Sequence, residues 1–191
     1  MHLGADIIKC ALRLLALQPL KWHYFWGKCI AWIVRVPLRY RKDVVMINLA
    51  RSFPEKKYRE LEDIAVKFYG HLGRIIAETV WFAGSYIKNR LEDSGICHYS
   101  NLEALSELFD KAPSVMLMTS HAGNWEILGG CMHYRSLTKS GTFSFTEEEI
   151  SIVYKKLSNK TMDRVMRHNR CTPVKADWSN CCVESKDIMR F

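Results

Sequence analysis

His121 and Glu126 place an imidazole and a carboxylate five residues apart in the stretch TSHAGNWEILGG, residues 119–130. An imidazole can take a hydroxyl proton near neutral pH when its other ring nitrogen is held by an acidic partner, which also fixes the tautomer. On one continuous helix the two side chains would stand about 140° apart and could not meet. The pairing therefore requires His121 to remain at the end of a strand. Gly123 permits a sharp turn there, Asn124 can cap the helix that follows, and Glu126 falls in its first turn, where exposed N–H groups favour a carboxylate. Strand ends in open α/β sheets are common places for ligands. A plainer reading is open at this point. His121 and Asn124 can satisfy backbone groups, Trp125 can pack, and Glu126 can be a favourable first-turn acid. A histidine and a glutamate at this spacing are by themselves a weak motif.

The elements needed to position the pair can be read on either side. SVMLMTS, residues 114–120, is a short apolar run suited to a buried strand, entered through the turn KAP. NWEILGGCMHY, residues 124–134, starts the next helix. Upstream, GICHYSN reads as a short strand, and Ser100 with Glu103 forms a capping box for the helix LEALSELFD. Downstream, residues 150–154 suit a strand, 159–167 a helix and 172–175 another strand. Strands separated by helices of this length argue for an α/β fold. Residues 39–82 look helical on both sides of a break, with Ser52, Pro54 and Glu55 supplying a helix start. Leu61, Ile64, Phe68, Leu72, Ile75 and Phe82 then recur on one helical face, with Gly70 and Gly73 allowing close packing. His71 and Glu78 lie on this helix with no assigned role. No repeat, long linker or Gly-rich phosphate loop is present, which counts against an ATPase or GTPase.

A chain of 191 residues, 48% hydrophobic and 25% charged, suits one folded domain with room for an appendage. Its formal charge of +8 is unevenly spread: residues 1–60 hold 12 Lys or Arg against 4 Asp or Glu, whereas the remainder is balanced. The first forty residues interleave Trp22, His23, Tyr24, Phe25, Trp26 and Trp32 with Lys21, Lys28 and Arg35. Pro19 ends or kinks a first helix carrying Asp6, Lys9 and Arg13 on one side. Charges interrupt the apolar run too often for a spanning helix or a cleaved signal peptide. The pattern predicts amphipathic helices lying on an anionic membrane surface, with nucleic acid the weaker reading because no nucleic-acid motif accompanies the patch. The expected division is a membrane-associated helical segment over 1–42 and an α/β domain over 43–191. The 7 cysteines form no CxxC pair, so neither a zinc site nor a redox motif is expected.

Four blocks in order carry a resemblance: the apolar-basic N-terminus, NLARSFPEKKYRELEDIAVKFYGHLGRIIAETV, SHAGNWE and VYKKLSNKTMDRVM. Together they resemble the bacterial lipid A biosynthesis (lauroyl/myristoyl) acyltransferases over roughly residues 5–175. HAGNWE is an instance of that family's histidine, four residues, acidic residue motif. The resemblance implies transfer of a fatty acyl group from an acyl carrier protein thioester to a hydroxyl of a lipid A precursor, with no metal and no cofactor beyond the acyl donor. His121 is then the general base and Glu126 its orienting partner. Gly123 and Asn124 are candidates for oxyanion stabilisation or positioning. Lys155, Lys156 and Arg190 are candidates for meeting lipid phosphates or the acidic carrier protein. The implied fold is an open mixed α/β sheet flanked by helices, of the glycerolipid-acyltransferase type, with N-terminal membrane-associated helices. The implied location is the cytoplasmic face of the bacterial inner membrane, peripheral or N-terminally anchored. Family members continue further, with more motif residues and strands, so an end at Phe191 is expected to leave the sheet incomplete. Transfer to another membrane lipid, such as a lysophospholipid or aminolipid, and a truncated, non-catalytic membrane-binding remnant are the alternatives.

Overall fold

A computed structural model describes residues 3–112, 114–118, 120, 122–136, 146, 149–173 and 182–185. The chain divides into two compact units, Gln18–Trp81 and Met1–Leu17 with Phe82–Phe191.

Within Gln18–Trp81, Pro19 ends the preceding helix and introduces α2 (Leu20–Arg35), followed by α3 (Lys42–Ser52) and α4 (Tyr58–Phe82), whose last residue belongs to the other unit. The buried stripe of α4 keeps only Leu61 and Phe82 of the expected run. Leu61, Ala65, Tyr69, Gly73, Ala77 and Trp81 are buried at four-residue spacing, while Phe68 is 44% exposed. The ridge is set by close helix contact: a Cβ at Gly27 would lie 2.6 Å from the Gly73 carbonyl oxygen and 3.0 Å from the Ala77 Cβ. Small residues let α2 and α4 meet backbone to backbone at Gly27 and Gly73. Gly73 thus has the packing role expected of it, whereas a Cβ at Gly70 would meet nothing within 4 Å. Beside this contact the Tyr24 hydroxyl donates to Glu78 Oε1 at 3.0 Å, and Glu78 is buried. Burial, reinforced by the Glu78 carboxylate, pushes the Tyr24 phenol up to about 12. The Tyr69 hydroxyl donates to the Tyr40 carbonyl at 2.7 Å.

The helix start expected at Ser52 is displaced. Ser52 is the last residue of α3, because Phe53 precedes Pro54 and takes an extended φ of −134°. The α4 start is instead supported by Glu60, whose Oε2 accepts the Lys57 N–H at 2.9 Å.

The other unit contains α1 (Leu3–Ala16), α5 (Arg90–Ser94), β1 (His98–Tyr99), α6 (Leu102–Lys111), a 3-10 helix (Trp125–His133), β2 (Arg135–Ser136), β3 (Ile152–Tyr154), α7 (Lys160–Arg170) and β4 (Cys182–Glu184). Phe82, Leu91 and Val165 are its largest fully buried side chains, joined by Leu102, Ile127 and Tyr134. Helix α1 docks on α7: Leu12 and Val165 line one small cleft, and Arg13 Nη2 donates to His168 Nε2 at 3.0 Å. The Arg13 guanidinium also stands over the Tyr86 ring, and Arg90 donates to the Ala16 carbonyl. Helix α6 is capped by Asn101, whose side chain accepts from Ala104 N, so the cap falls one residue after the expected Ser100.

The expected single open mixed sheet is corrected. The described strands form two separate two-stranded sheets, both parallel: β1 with β2 and β3 with β4. Helices flank them and both sheets are open, so the α/β class and the open character stand. The strands expected near residues 98 and 152 form, and their partners β2 and β4 lie where no strand is expected. Residues 114–118 pair with neither sheet, and Met116 and Met118 are 85% and 90% exposed. An apolar run becomes a buried strand only where neighbours accept its backbone bonds, and none of the described strands does so. The strand expected over 172–175 has Thr172 and Pro173 in a turn, and its last two residues lie outside the described set.

The expected N-terminal membrane-associated helices are also overturned: no helix among the described residues is long and apolar enough to cross a membrane. With 14 and 16 residues, α1 and α2 reach only about 21 and 24 Å at 1.5 Å per residue, against a hydrocarbon core of about 30 Å. Each also makes a contact with protein, α1 with α7 and α2 with α4.

Candidate active site

The approach to the 3-10 helix is built from the short segment 122–124. The Ala122 N–H donates to Ser120 Oγ at 3.3 Å, and Gly123 adopts a φ of +72°, the left-handed conformation that a side chain would strain. The helix beginning at Trp125 is of the tight 3-10 kind, not α-helical. Gly129 and Gly130 weaken the α form, and two tyrosines hold its carbonyls from outside. Tyr134 donates to the Ile127 carbonyl at 2.6 Å and Tyr99 to the Cys131 carbonyl at 2.9 Å. Burial raises the Tyr99 phenol above its ordinary range, with the Cys131 and Cys97 thiols adding to the effect. Asn124 precedes the helix but its side chain makes no capping bond. In a 3-10 turn the Ile127 N–H is already taken by the Asn124 carbonyl, here at 3.4 Å, so that donor does not go to the Asn124 side chain.

Glu126 occupies the first turn of this helix, as expected, and its carboxylate is gripped by Arg170. Arg170 Nε donates to Oε2 and Nη2 to Oε1, each at 2.7 Å. Both side chains are only 14% exposed. The fork matches the planar, two-point geometry in which an arginine binds a carboxylate most firmly. The same guanidinium lies over the Trp125 ring, 4.8 Å from its centroid. A Cβ on Gly129 would collide with the Arg170 backbone, so the 3-10 helix and the end of α7 also touch main chain to main chain.

Arg170 was absent from the residues singled out in the sequence. It lies 44 positions from Glu126, and the helix expected over 159–167 in fact runs one further turn, to Arg170. The available signal was the basic last turn of that helix, Arg167, His168 and Arg170.

His121 and Arg190 lie outside the described residues. Lys155, just past β3, is exposed, and Lys156 stands 3.7 Å from Glu184 on β4 across a partly exposed gap. Arg167 of α7 reaches over the Tyr154 ring of β3, at 6.0 Å from its centroid. The structure thus brings Gly123, Asn124 and Glu126 onto one turn, and sets Lys155 and Lys156 at the end of β3. His71 is exposed on α4. Among the described residues no group of three His, Cys, Asp or Glu is placed to hold a metal ion, and Cys10, Cys29, Cys97, Cys131 and Cys171 are in no disulfide.

The model of the bacterial lipid A biosynthesis acyltransferase family matches residues 4–172, which enclose the 3-10 helix and the whole of α7. The chain belongs to that family. No curated protein and no solved structure gives a match. As a lipid A biosynthesis acyltransferase family member the chain is assigned an enzymatic, acyl-transferring identity by homology. The matched span ends two residues beyond Arg170, so both halves of the Glu126–Arg170 pair fall within it.

Proposed function

We propose that this acyltransferase moves a fatty acyl group from an acyl carrier protein thioester to a hydroxyl of a lipid A precursor. His121 serves as general base and Glu126 as its partner. The observation that carries the reading is the family match across residues 4–172, which contains HAGNWE with its acidic residue on a fixed turn. His121 takes the acceptor hydroxyl proton as the oxygen attacks the thioester carbonyl carbon. The new C–O bond places negative charge on the carbonyl oxygen, and backbone N–H groups near Gly123 and Asn124 are candidates to stabilise it. Collapse breaks the C–S bond, and the proton held on the imidazole goes to the departing thiolate, so the base is regenerated. Glu126 favours the imidazolium formed in between. Lys155 and Lys156 are candidates for contact with lipid phosphate or with the acidic carrier protein. Work at the cytoplasmic face of the inner membrane, where such an acceptor is held, belongs to the same proposal and rests on family membership.

The test is transfer of labelled acyl chains from acyl carrier protein to a lipid A precursor by the purified chain. His121→Ala is expected to abolish transfer with folding unchanged, and Glu126→Ala to leave a crippled enzyme. Full activity in the His121 variant would remove this mechanism. Preferential transfer to a lysophospholipid or aminolipid acceptor offered in competition would replace the lipid A precursor as substrate.

A further inference from the structure

We propose that the cleft between α1 and α7 binds a doubly charged oxyanion of the phosphate class, taken up together with a proton on His168. The proposal is independent of the acyl-transfer reading above. Apolar side chains of Leu12, Ala83 and Val165 line this cleft together with Lys9, Arg13 and His168, so three nitrogen-bearing groups share one recess. Arg13 Nη2 donates to His168 Nε2 at 3.0 Å, and its guanidinium stands over the Tyr86 ring. Among the described residues Arg13 forms no ion pair. A guanidinium offers five donors in a fork shaped for an oxyanion, and a neutral imidazole nitrogen engages only one of them.

The charges around His168 define what the ligand carries. Arg13, Lys9 and Asp6 of α1 act on it, while Arg167, its neighbour on α7, is turned to Tyr154. Lys9 is held by Asp6 at 2.7 Å, with the lysine side chain 22% exposed and the aspartate 62%. Without an anion, protonation of His168 sets two cations side by side, which opposes it. An oxyanion at the cleft reverses the sign, because it accepts from the guanidinium and the imidazolium at once. Lys9, Arg13 and protonated His168 then carry three positive charges against the one negative charge of Asp6. The surplus of two matches a phosphate monoester dianion, whereas a carboxylate would balance only half of it. At about 10 Å³ the cleft has room for no more than a water. The anion therefore lies across its mouth, with any organic remainder in solvent.

Inorganic sulfate is the probe, since it keeps both charges near pH 5.5 and near pH 7.5 and leaves any pH dependence to the protein. Calorimetric titration of the full chain, at an ionic strength held with sodium chloride, should give binding at least about tenfold tighter at the lower pH, because only the protonated fraction of His168 is competent. Reciprocally, the Cε1 proton resonance of His168 should titrate at higher pH in sulfate than in chloride. Arg13→Gln is expected to lose the binding. Lys9→Gln, which spares the contact between Arg13 and His168, should weaken it, and His168→Gln should remove its pH dependence. Lys111→Gln, at an exposed pair on α6, should change nothing. Inorganic phosphate and phosphatidylcholine vesicles containing phosphatidic acid separate the sources: Arg13-dependent binding of the vesicles assigns a lipid phosphate, and of phosphate alone a soluble one. Absence of sulfate binding, equal affinity at the two pH values, or affinity unchanged in both Arg13→Gln and Lys9→Gln overturns the site.

Discussion

Arg13 donates to His168 Nε2 across 3.0 Å and so fastens α1 to α7. The arginine stays charged, so the bond needs a neutral imidazole with Nε2 as acceptor. Burial above all, then the charges of Arg13 and Lys9, lowers the His168 pKa from 6.5, while Asp6 pulls the other way. A group whose folded pKa lies below its unfolded value leaves the unfolded chain binding more protons between the two. The contribution of His168 is therefore fully present above 6.5 and is lost as pH falls toward and through the folded value. Urea unfolding near pH 7.5 and pH 5.5 should show wild type losing more stability than His168→Gln, whose amide accepts the same bond without titrating. Parallel loss in the two proteins would remove His168 from the account.

The two glycines of α4 predict opposite outcomes. At Gly73 a Cβ would drive into the Gly27 backbone and meet the Ala31 Cβ at 2.9 Å. Gly73→Ala is expected to destabilise by about 1–3 kcal/mol, as overpacking does. At Gly70 nothing lies within 4 Å, so Gly70→Ala should be neutral or stabilise by up to about 1 kcal/mol through helix propensity. Denaturation midpoints of the two single variants check this, and similar shifts for both would contradict the close α2–α4 contact.

Helix α7 starts on three backbone N–H bonds accepted by two side chains. Asn159 Oδ1 accepts from the Thr161 and Met162 N–H groups, each at 3.0 Å, and Asp163 Oδ1 accepts from the Leu157 N–H at 2.8 Å. Asn159→Ala should cost about 1 kcal/mol, and Asn159→Asp, which keeps the acceptor, much less. Calorimetry on both would decide, with equal losses counting against the cap.

How far the sequence carried depended on whether a feature was local. The start of α7 at Asn159, the first-turn position of Glu126 and the turn at Gly123 each follow from short-range chemistry, and each is found. Of the face expected on α4, Leu61 and Phe82 are buried while Phe68 is exposed, because the closest partner of that helix selects Gly73 and Ala77, which an apolar count passes over. Met116 to Met118 looked like a strand because an apolar run fixes no hydrogen-bonding neighbour. The Glu126–Arg170 fork joins groups far apart in the chain, and no local pattern encodes such a pairing. The aromatic side chains Trp22, Phe25, Trp26 and Trp32 of α2 stay exposed, and the contact of that helix with α4 is made by Gly27 and Ala31, small residues that the aromatic and basic pattern does not point to.

The last turn of α7 sends three neighbouring side chains in three directions: Arg167 to Tyr154, His168 to Arg13 and Arg170 to Glu126. Each successive residue is rotated about 100° around a helix, so the spacing of these three is what aims them. A point substitution removes one contact and spares the others. A one-residue insertion or deletion between Asn159 and Arg167 would turn all three away together, leaving the composition of the helix almost unchanged. Among natural variants of this chain α7 should therefore vary in residue identity far more readily than in length.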